Sequence, residues 1–329
     1  MNILRYSLLC LLALFIFGCA STDNDNTADQ DLFISSTQSI YGGSEDTNPA
    51  HDAVVSLYYE PGKTSYCTGT LIAPRWVLTA GHCVVEYGQI MPEALKYKIG
   101  VGNNEKQISY NLHDIDGIYP HEKYDGYSNG NDIALIHLKH TLYNVDPIKP
   151  LPQDIGFTKN EVSLGNTQVE FVGFGYDENR DYGTKLTFTS KVAHYCGEEY
   201  DSEYGCTFSN DNMPFGSIYY TQRDGGPCNG DSGGPAFLTV DGVEYVSGIT
   251  SYGDSWCTIY GVSTAVQNFY GWIMNTAETA GDPIVYEDEI SNNDVNNSSD
   301  SSEENQEDIY EEDEDDYWYD WYYWYWFDW

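Results

Sequence analysis

Residues 230–235 read Gly230-Asp231-Ser232-Gly233-Gly234-Pro235. A neutral Ser hydroxyl is a poor nucleophile at pH 7. It needs a His to take its proton, and that His needs a carboxylate to fix its tautomer and stabilise its cation. A carbonyl attacked by such a hydroxyl becomes an oxyanion, which needs preorganised backbone N–H donors. The glycines of this turn allow the geometry that points two N–H groups inward. Upstream lie Thr79-Ala80-Gly81-His82-Cys83 and Asn131-Asp132-Ile133-Ala134-Leu135. Taken singly, each has a bland reading: a structural His, a turn before a strand, a Gly-rich turn. Taken together, in the order His82, Asp132, Ser232, they supply base, orienter and nucleophile, and chance is a poor explanation.

Around these segments, from Ile40 to about Ala265, short apolar runs alternate with Gly, Pro, Asn and Asp. Examples are Ala53–Tyr58, Gly69–Ile72, Trp76–Thr79, Ile133–Leu138, Val169–Phe174 and Tyr245–Ile249. Many are apolar at nearly every position, as strands packed on both faces in closed barrels require. One stretch looks helical, Val266–Thr279, where Val266, Phe269, Tyr270, Ile273 and Ala277 share a face, and Gly281 and Pro283 stop it. The reading is an all-β block ending in a helix.

With these motifs the chain resembles the chymotrypsin/trypsin-like serine proteases over roughly residues 40–281. The resemblance implies two perpendicular six-stranded antiparallel β-barrels with a C-terminal helix and a catalytic cleft between the barrels. It also implies roles: His82 as general base and then acid, Asp132 as its orienter, Ser232 as nucleophile, and the N–H groups of Gly230 and Ser232 as oxyanion hole. Ser251-Tyr252-Gly253 matches the edge that pairs with the substrate backbone. Ile40-Tyr41-Gly42-Gly43 resembles the mature N-terminus that such zymogens expose, whose ammonium would pair with Asp231. Ser39, not Arg or Lys, precedes Ile40, so autocleavage or an activator tolerant of small residues is expected. Gly81 stands where the family usually has Ala.

The resemblance further implies bridges Cys67–Cys83 and Cys228–Cys257. It leaves Cys196 and Cys206, whose spacing fits the family's third bridge poorly and a local loop staple better. The specificity-pocket floor falls at Gly226 and the walls at Gly253 and Gly261, an open slot for large apolar or aromatic side chains. A shift of one or two residues would bring Asp224 to the floor and select Lys or Arg instead. The other functional class is a catalytically inactive binding protein on the same scaffold; such proteins normally lack a triad member, and here all three are present. The triad chemistry needs no cofactor, and no His/Cys cluster has metal-ligand spacing.

Residues 40–281 hold 30 acidic and 13 basic residues, a net of 17 negative charges; residues 282–329 hold 18 acidic residues and no cation. Such a field argues against nucleic-acid partners. The N-terminus has Arg5, an apolar run from Leu8 to Phe17 too short to span a bilayer, and then Gly18-Cys19. Residues 1–18 read as a signal peptide and Cys19 as a lipidation site resembling a bacterial lipobox; an ordinary secretory signal that happens to contain a Cys is the alternative. Ala20 favours the outer membrane or cell surface. Residues 19–39 read as a lipidated linker or prosegment, 40–281 as the folded domain and 282–329 as a disordered acidic tail. The tail ends in the aromatic stretch YWYDWYYWYWFDW, which suggests an interaction element with an unknown partner. Six cysteines remain after Cys10 and Cys19, an even number suited to disulfides in an exported chain.

Overall fold

The apolar runs fold as strands, with boundaries within a few residues of those expected. The structure, a computed structural model, describes residues 40–286 apart from 127–128, 159–161, 163–164, 177–182, 198–205 and 208–212. The leader, Cys19, the linker and the aromatic tail lie outside the described residues. In chain order the strands are β1 (Ser44–Glu45), β2 (Val54–Tyr59), β3 (Thr64–Ala73), β4 (Trp76–Thr79), β5 (Val85–Glu86), β6 (Gln89–Ile90), β7 (Tyr97–Gly100), β8 (Leu112–Pro120) and β9 (Ala134–Leu138). They continue as β10 (Gln168–Gly173), β11 (Leu186–Cys196), β12 (Cys206–Thr207), β13 (Met213–Pro214), β14 (Ser217–Thr221), β15 (Pro235–Val240), β16 (Val243–Gly253) and β17 (Tyr260–Ala265). The helices are α1 (Glu105–Tyr110) and α2 (Tyr270–Thr279).

Strands β2-β3-β4-β9-β8-β7 close the first antiparallel barrel. The second runs β11-β10-β15-β16-β17-β14 and closes because β11 is long enough to change neighbours: Leu186–Lys191 pair with β10, and Val192–Cys196 pair with β14 across a bulge. β1 adds to β11 at Leu186 and Thr187. Every residue of β4 and β9 is buried, which explains their lack of polar alternation: one face fills the barrel while the other is covered by neighbouring elements.

The predicted C-terminal helix begins with a 3₁₀ turn, Val266–Phe269, before α2. Ile273 and Ala277, one turn apart, are fully buried, and Gly281 at φ +85° terminates the helix in the left-handed conformation glycine favours. The packed chain then runs five residues past the Gly281 boundary. Trp76 Nε1–H donates to Asp282 O at 2.8 Å, Tyr286 O–H donates to Ile72 O at 3.0 Å, and Ile284 and Tyr286 are buried. Helix α1 was not expected. Its signal is Asn104, whose side chain accepts from Gln107 N–H at 3.1 Å, while Gln107 Oε1 accepts from Asn103 N–H at 2.8 Å. That is a variant of the reciprocal cap that starts a helix. Disulfides join Cys67–Cys83, Cys196–Cys206 and Cys228–Cys257. The second closes a ten-residue step at the end of β11, a local staple in form.

Candidate active site

His82 sits in a 3₁₀ turn, Gly81–Cys83, directly after β4, and Asp132 stands two residues before β9. These strands pair side by side, Thr79 opposite Ala134, so the register of the first barrel sets the His–Asp distance. Asn131 takes φ +56°, a conformation Asn tolerates better than most residues, and the chain then delivers Asp132 beneath the imidazole. Asp132 Oδ2 lies 2.7 Å from His82 Nδ1, and Oδ1 accepts from the His82 backbone N–H at 2.8 Å. Ser251 O–H donates to Asp132 Oδ2 at 2.5 Å, and Thr264 O–H to Asp132 O at 2.9 Å. The Asp132 side chain is 4% exposed and that of His82 31%, so one is held dry while the other reaches solvent. Burial alone would lower the His82 pKa; the charge and hydrogen bond of Asp132 outweigh it and hold the imidazole above its ordinary value. Burial would likewise raise Asp132, but His82, Ser251 and the backbone N–H keep it below the usual carboxylate range.

Ser232 lies in the turn before β15 and joins the first barrel through Thr68 of β3. Thr68 N–H donates to Ser232 O at 2.8 Å, and Thr68 O–H donates to Gly230 O at 2.9 Å. Gly233, at φ +81°, has no room for a side chain, because a Cβ would stand 2.1 Å from Thr79 Oγ1. Gly230 takes φ +100°, and among the described residues no acceptor occupies the N–H of Gly230 or Ser232. The Asp231 carboxylate points away, fully buried, accepting from Gly175 N–H at 2.7 Å and Cys228 N–H at 2.8 Å. Burial pushes its pKa up to about 7, against the pull of those two N–H groups. A Cβ at Gly173 or Gly175 would fall 2.1 or 2.5 Å from this carboxylate, so the Gly173-Phe174-Gly175 segment is its cradle, a signal the sequence carried unread.

The family model described as Trypsin matches residues 40–273, most of the chain. The chain belongs to the trypsin family. It is 30% identical over 274 residues to the Spaetzle-processing enzyme of Drosophila melanogaster, covering 73% of this chain and 66% of that protein. It is 29% identical over 222 residues to vitamin K-dependent protein C of Oryctolagus cuniculus, covering 64% of this chain and 46% of the relative. The chain thus spans less than two thirds of the length of either relative.

In this trypsin-family protein the expected pocket residues converge. Gly226 and Gly253 face a residue that sequence reasoning missed, Gln222, which is buried. A Cβ at Gly226 would meet Gln222 Nε2 at 2.8 Å, and one at Gly253 would meet Gln222 Oε1 at 3.2 Å. The carboxamide therefore fills the space that a side chain at Gly226 or Gly253 would enter, with Nε2 donating to Pro227 O at 2.5 Å. Gly261 backs onto the Tyr220 ring, 2.4 Å from where its Cβ would be. Asp224 is exposed, and its backbone oxygen lies against Gly42. Gln222 meets Gly253 from 31 residues away in the chain, a contact that no local sequence pattern marks. Ser251 is the extra residue of a β-bulge, between Thr250 opposite Ser263 and Tyr252 opposite Val262. That bulge turns its hydroxyl toward Asp132. The register of β16 with β15 ends at Ile249, while that with β17 continues to Gly253, which leaves Ser251–Gly253 at the sheet's margin. Ile40 is fully buried and Tyr41 O accepts from Gly226 N–H at 2.8 Å, so the Ile40–Gly43 segment docks beside Gly226. Gly81, the departure from the family pattern, lies where a Cβ would strike the Tyr124 ring at 2.7 Å.

Proposed function

We propose that the chain is a serine endopeptidase that hydrolyses peptide bonds through His82, Asp132 and Ser232. The observation that carries this is the dry, triply hydrogen-bonded Asp132 held 2.7 Å from His82 Nδ1, with Ser232 in a glycine turn tied to the same barrel. The mechanism is that of the family. Asp132 fixes the Nδ1–H tautomer, so Nε2 takes the Ser232 proton as Oγ attacks the scissile carbonyl. The N–H groups of Gly230 and Ser232 receive the oxyanion. His82 then protonates the leaving amine, and water hydrolyses the acyl-enzyme by the same steps in reverse order of proton transfer. Substrate backbone adds along Ser251–Gly253, and the side chain before the cut enters the slot of Gly226, Gly253 and Gly261. An uncharged floor of Gln222 and Tyr220 supports large apolar or aromatic residues there and gives Lys or Arg no counter-charge.

The precursor is exported, lipidated at Cys19 in the bacterial manner, and activated between Ser39 and Ile40 by itself or by another protease. The new Ile40 ammonium then neutralises Asp231, a buried carboxylate otherwise costly to ionise. Residues 20–39 contain no cysteine, so the cut also frees the catalytic domain from its lipid. Labelling with a fluorophosphonate serine probe tests the reading: the processed protein labels, Ser232→Ala does not, and a processed protein that fails to label is a binding protein instead.

A further inference from the structure

The catalytic site leaves a second constellation of titratable groups unused. His51, in the turn Pro49–Ala53 after β1, is completely buried, and its ring stacks on Phe237 of β15 at 5.0 Å. Its Nδ1 lies 3.1 Å from Oδ2 of the buried Asp46, and neither atom has another hydrogen-bond partner. On the opposite edge, Nε2 lies 3.3 Å from Glu244 Oε1 on β16 and 3.2 Å from Asn48 Nδ2. Burial lowers the imidazole pKa, but the hydrogen bonds and charges of Asp46 and Glu244 outweigh it and raise it to about 9. At neutral pH the ring therefore carries a proton on Nδ1 toward Asp46 and another on Nε2 toward Glu244. A metal ion bound at Nε2 would take the place of that second proton and release it, while Nδ1–H stays with Asp46. Glu170 of β10 brings a third ligand atom, the three lying within 4.8 Å of one another; its Oε1 accepts from Thr187 O–H at 2.5 Å, and its other oxygen takes no part in that bond.

We propose that His51 Nε2, Glu170 and Glu244 form a binding site for a divalent transition cation of the zinc type, with Asp46 orienting the imidazole from behind. Two ligands of a tetrahedral ion at about 2.0–2.1 Å stand about 3.3–3.4 Å apart, the separation of Nε2 and Glu244 Oε1. One nitrogen and two carboxylates leave a fourth position for water, and a carboxylate on the far ring nitrogen is the usual support for a histidine ligand. Local charge agrees. Four carboxylates, Asp46, Asp52, Glu170 and Glu244, accompany two cations, protonated His51 and Lys185; Lys185 donates to His51 O at 2.7 Å and lies 3.9 Å from Asp52. The group carries two net negative charges, so a divalent ion in place of the Nε2 proton is favoured. The Glu244 side chain is 25% exposed, so an ion has a way in. The other cluster of this kind among the described residues, Cys67, His82 and Cys83, has both sulfurs consumed in a disulfide. The proposed ligands come from segments near 51, 170 and 244, which is why no ligand spacing marks them in the sequence. The ion would pin the chain after β1 onto β10 and β16 of the second barrel. This proposal is independent of the peptidase reading.

The test is Zn²⁺ titration of the full-length protein by calorimetry in two buffers of different ionisation enthalpy, with Co²⁺ absorbance for coordination number. One equivalent should bind with micromolar or tighter affinity, release about one proton at pH 7, and give a four-coordinate Co²⁺ spectrum. Glu170→Gln/Glu244→Gln should abolish this site, and Asp46→Asn should weaken it roughly 10- to 100-fold. Zn²⁺ should raise the Tm of the parent protein and leave that of the double variant unmoved, each variant being checked for a native fold by circular dichroism. The acidic tail contributes the same weak background to all of them. Equal Zn²⁺ affinity in parent and double variant, or no equivalent binding more tightly than that background, overturns the proposal.

Discussion

In the proposed mechanism Ser232, His82 and Asp132 act as one unit, so removing either reacting group is expected to cost nearly everything the unit supplies. Ser232→Ala and His82→Ala should each lower kcat on a peptide substrate by on the order of 10⁶-fold, with the fold intact. Single-turnover assays on the processed protein check this, and more than a trace of turnover by Ser232→Ala would remove Ser232 from the chemistry. Gln222 makes a sharper residue-level case. If its carboxamide floors the slot, a peptide-library digest by the parent enzyme should show cleavage after Phe, Tyr, Leu or Met. Gln222→Glu puts a carboxylate in the same place, and cleavage after Lys or Arg should rise at least tenfold relative to Phe. A parent enzyme already dominated by cleavage after Lys or Arg would discard this account of the pocket.

At the scale of elements, the segment after α2 behaves as part of the fold. Asp282 Oδ2 lies 2.9 Å from His137 Nε2 and 3.3 Å from Arg75, while Ile284 and Tyr286 bury their side chains against the first barrel. Burying two such side chains contributes roughly 3 kcal/mol, before the hydrogen bonds of Asp282 and Tyr286 are counted. A chain ending at Tyr286 should match the mature protein in Tm and in activity on a small substrate. One ending at Gly281 should unfold at lower denaturant by about that free energy. Equal midpoints for the two truncations would show that residues 282–286 add nothing. The acidic tail should be dispensable for catalysis, and a truncation at Tyr286 that is much faster than the mature enzyme would instead point to inhibition by its aromatic end.

At the scale of the whole molecule, the proposed activation would act on stability through Asp231. In the full-length chain its pKa near 7 means that the folded state keeps a proton which the unfolded state gives up near 3.8. Between these values the native state binds more protons, so stability falls as pH rises through the window and stays lower above it, by about 4 kcal/mol for this group. Denaturant midpoints of the precursor should therefore decline from pH 4 to pH 7. Asp231→Asn should remove that part of the slope, and the Ile40 ammonium should do the same in the processed enzyme. Identical slopes in precursor and Asp231→Asn would show that the carboxylate is not strained by burial. The same cut should move activity from membrane to soluble fractions, which N-terminal sequencing of each fraction checks. Active enzyme beginning at Ile40 that stays on the membrane after removal of 287–329 would contradict release.

The sequence alone determined the all-β architecture, because strands buried on both faces must be apolar throughout, and Trp76–Thr79 and Ala134–Leu138 are. It also marked His82, Asp132 and Ser232, because each lies in a short segment whose backbone requirements leave a local trace, the glycines around Ser232 above all. The short helix α1 had such a trace in Asn104 and Gln107, too brief to register as periodicity. What the tertiary structure decided are contacts between side chains far apart in the chain, or reaching across a turn. Gln222 packed beside Gly226 and Gly253, the Gly173–Gly175 cradle of Asp231, Ser251 turned by a bulge, and the strap from Asp282 to Tyr286 are of this kind. A side chain's meaning there is set by what the closed barrels place opposite it, and barrel closure depends on register between strands separated by tens of residues. No local pattern encodes that register, so these roles exist only once the barrels have closed.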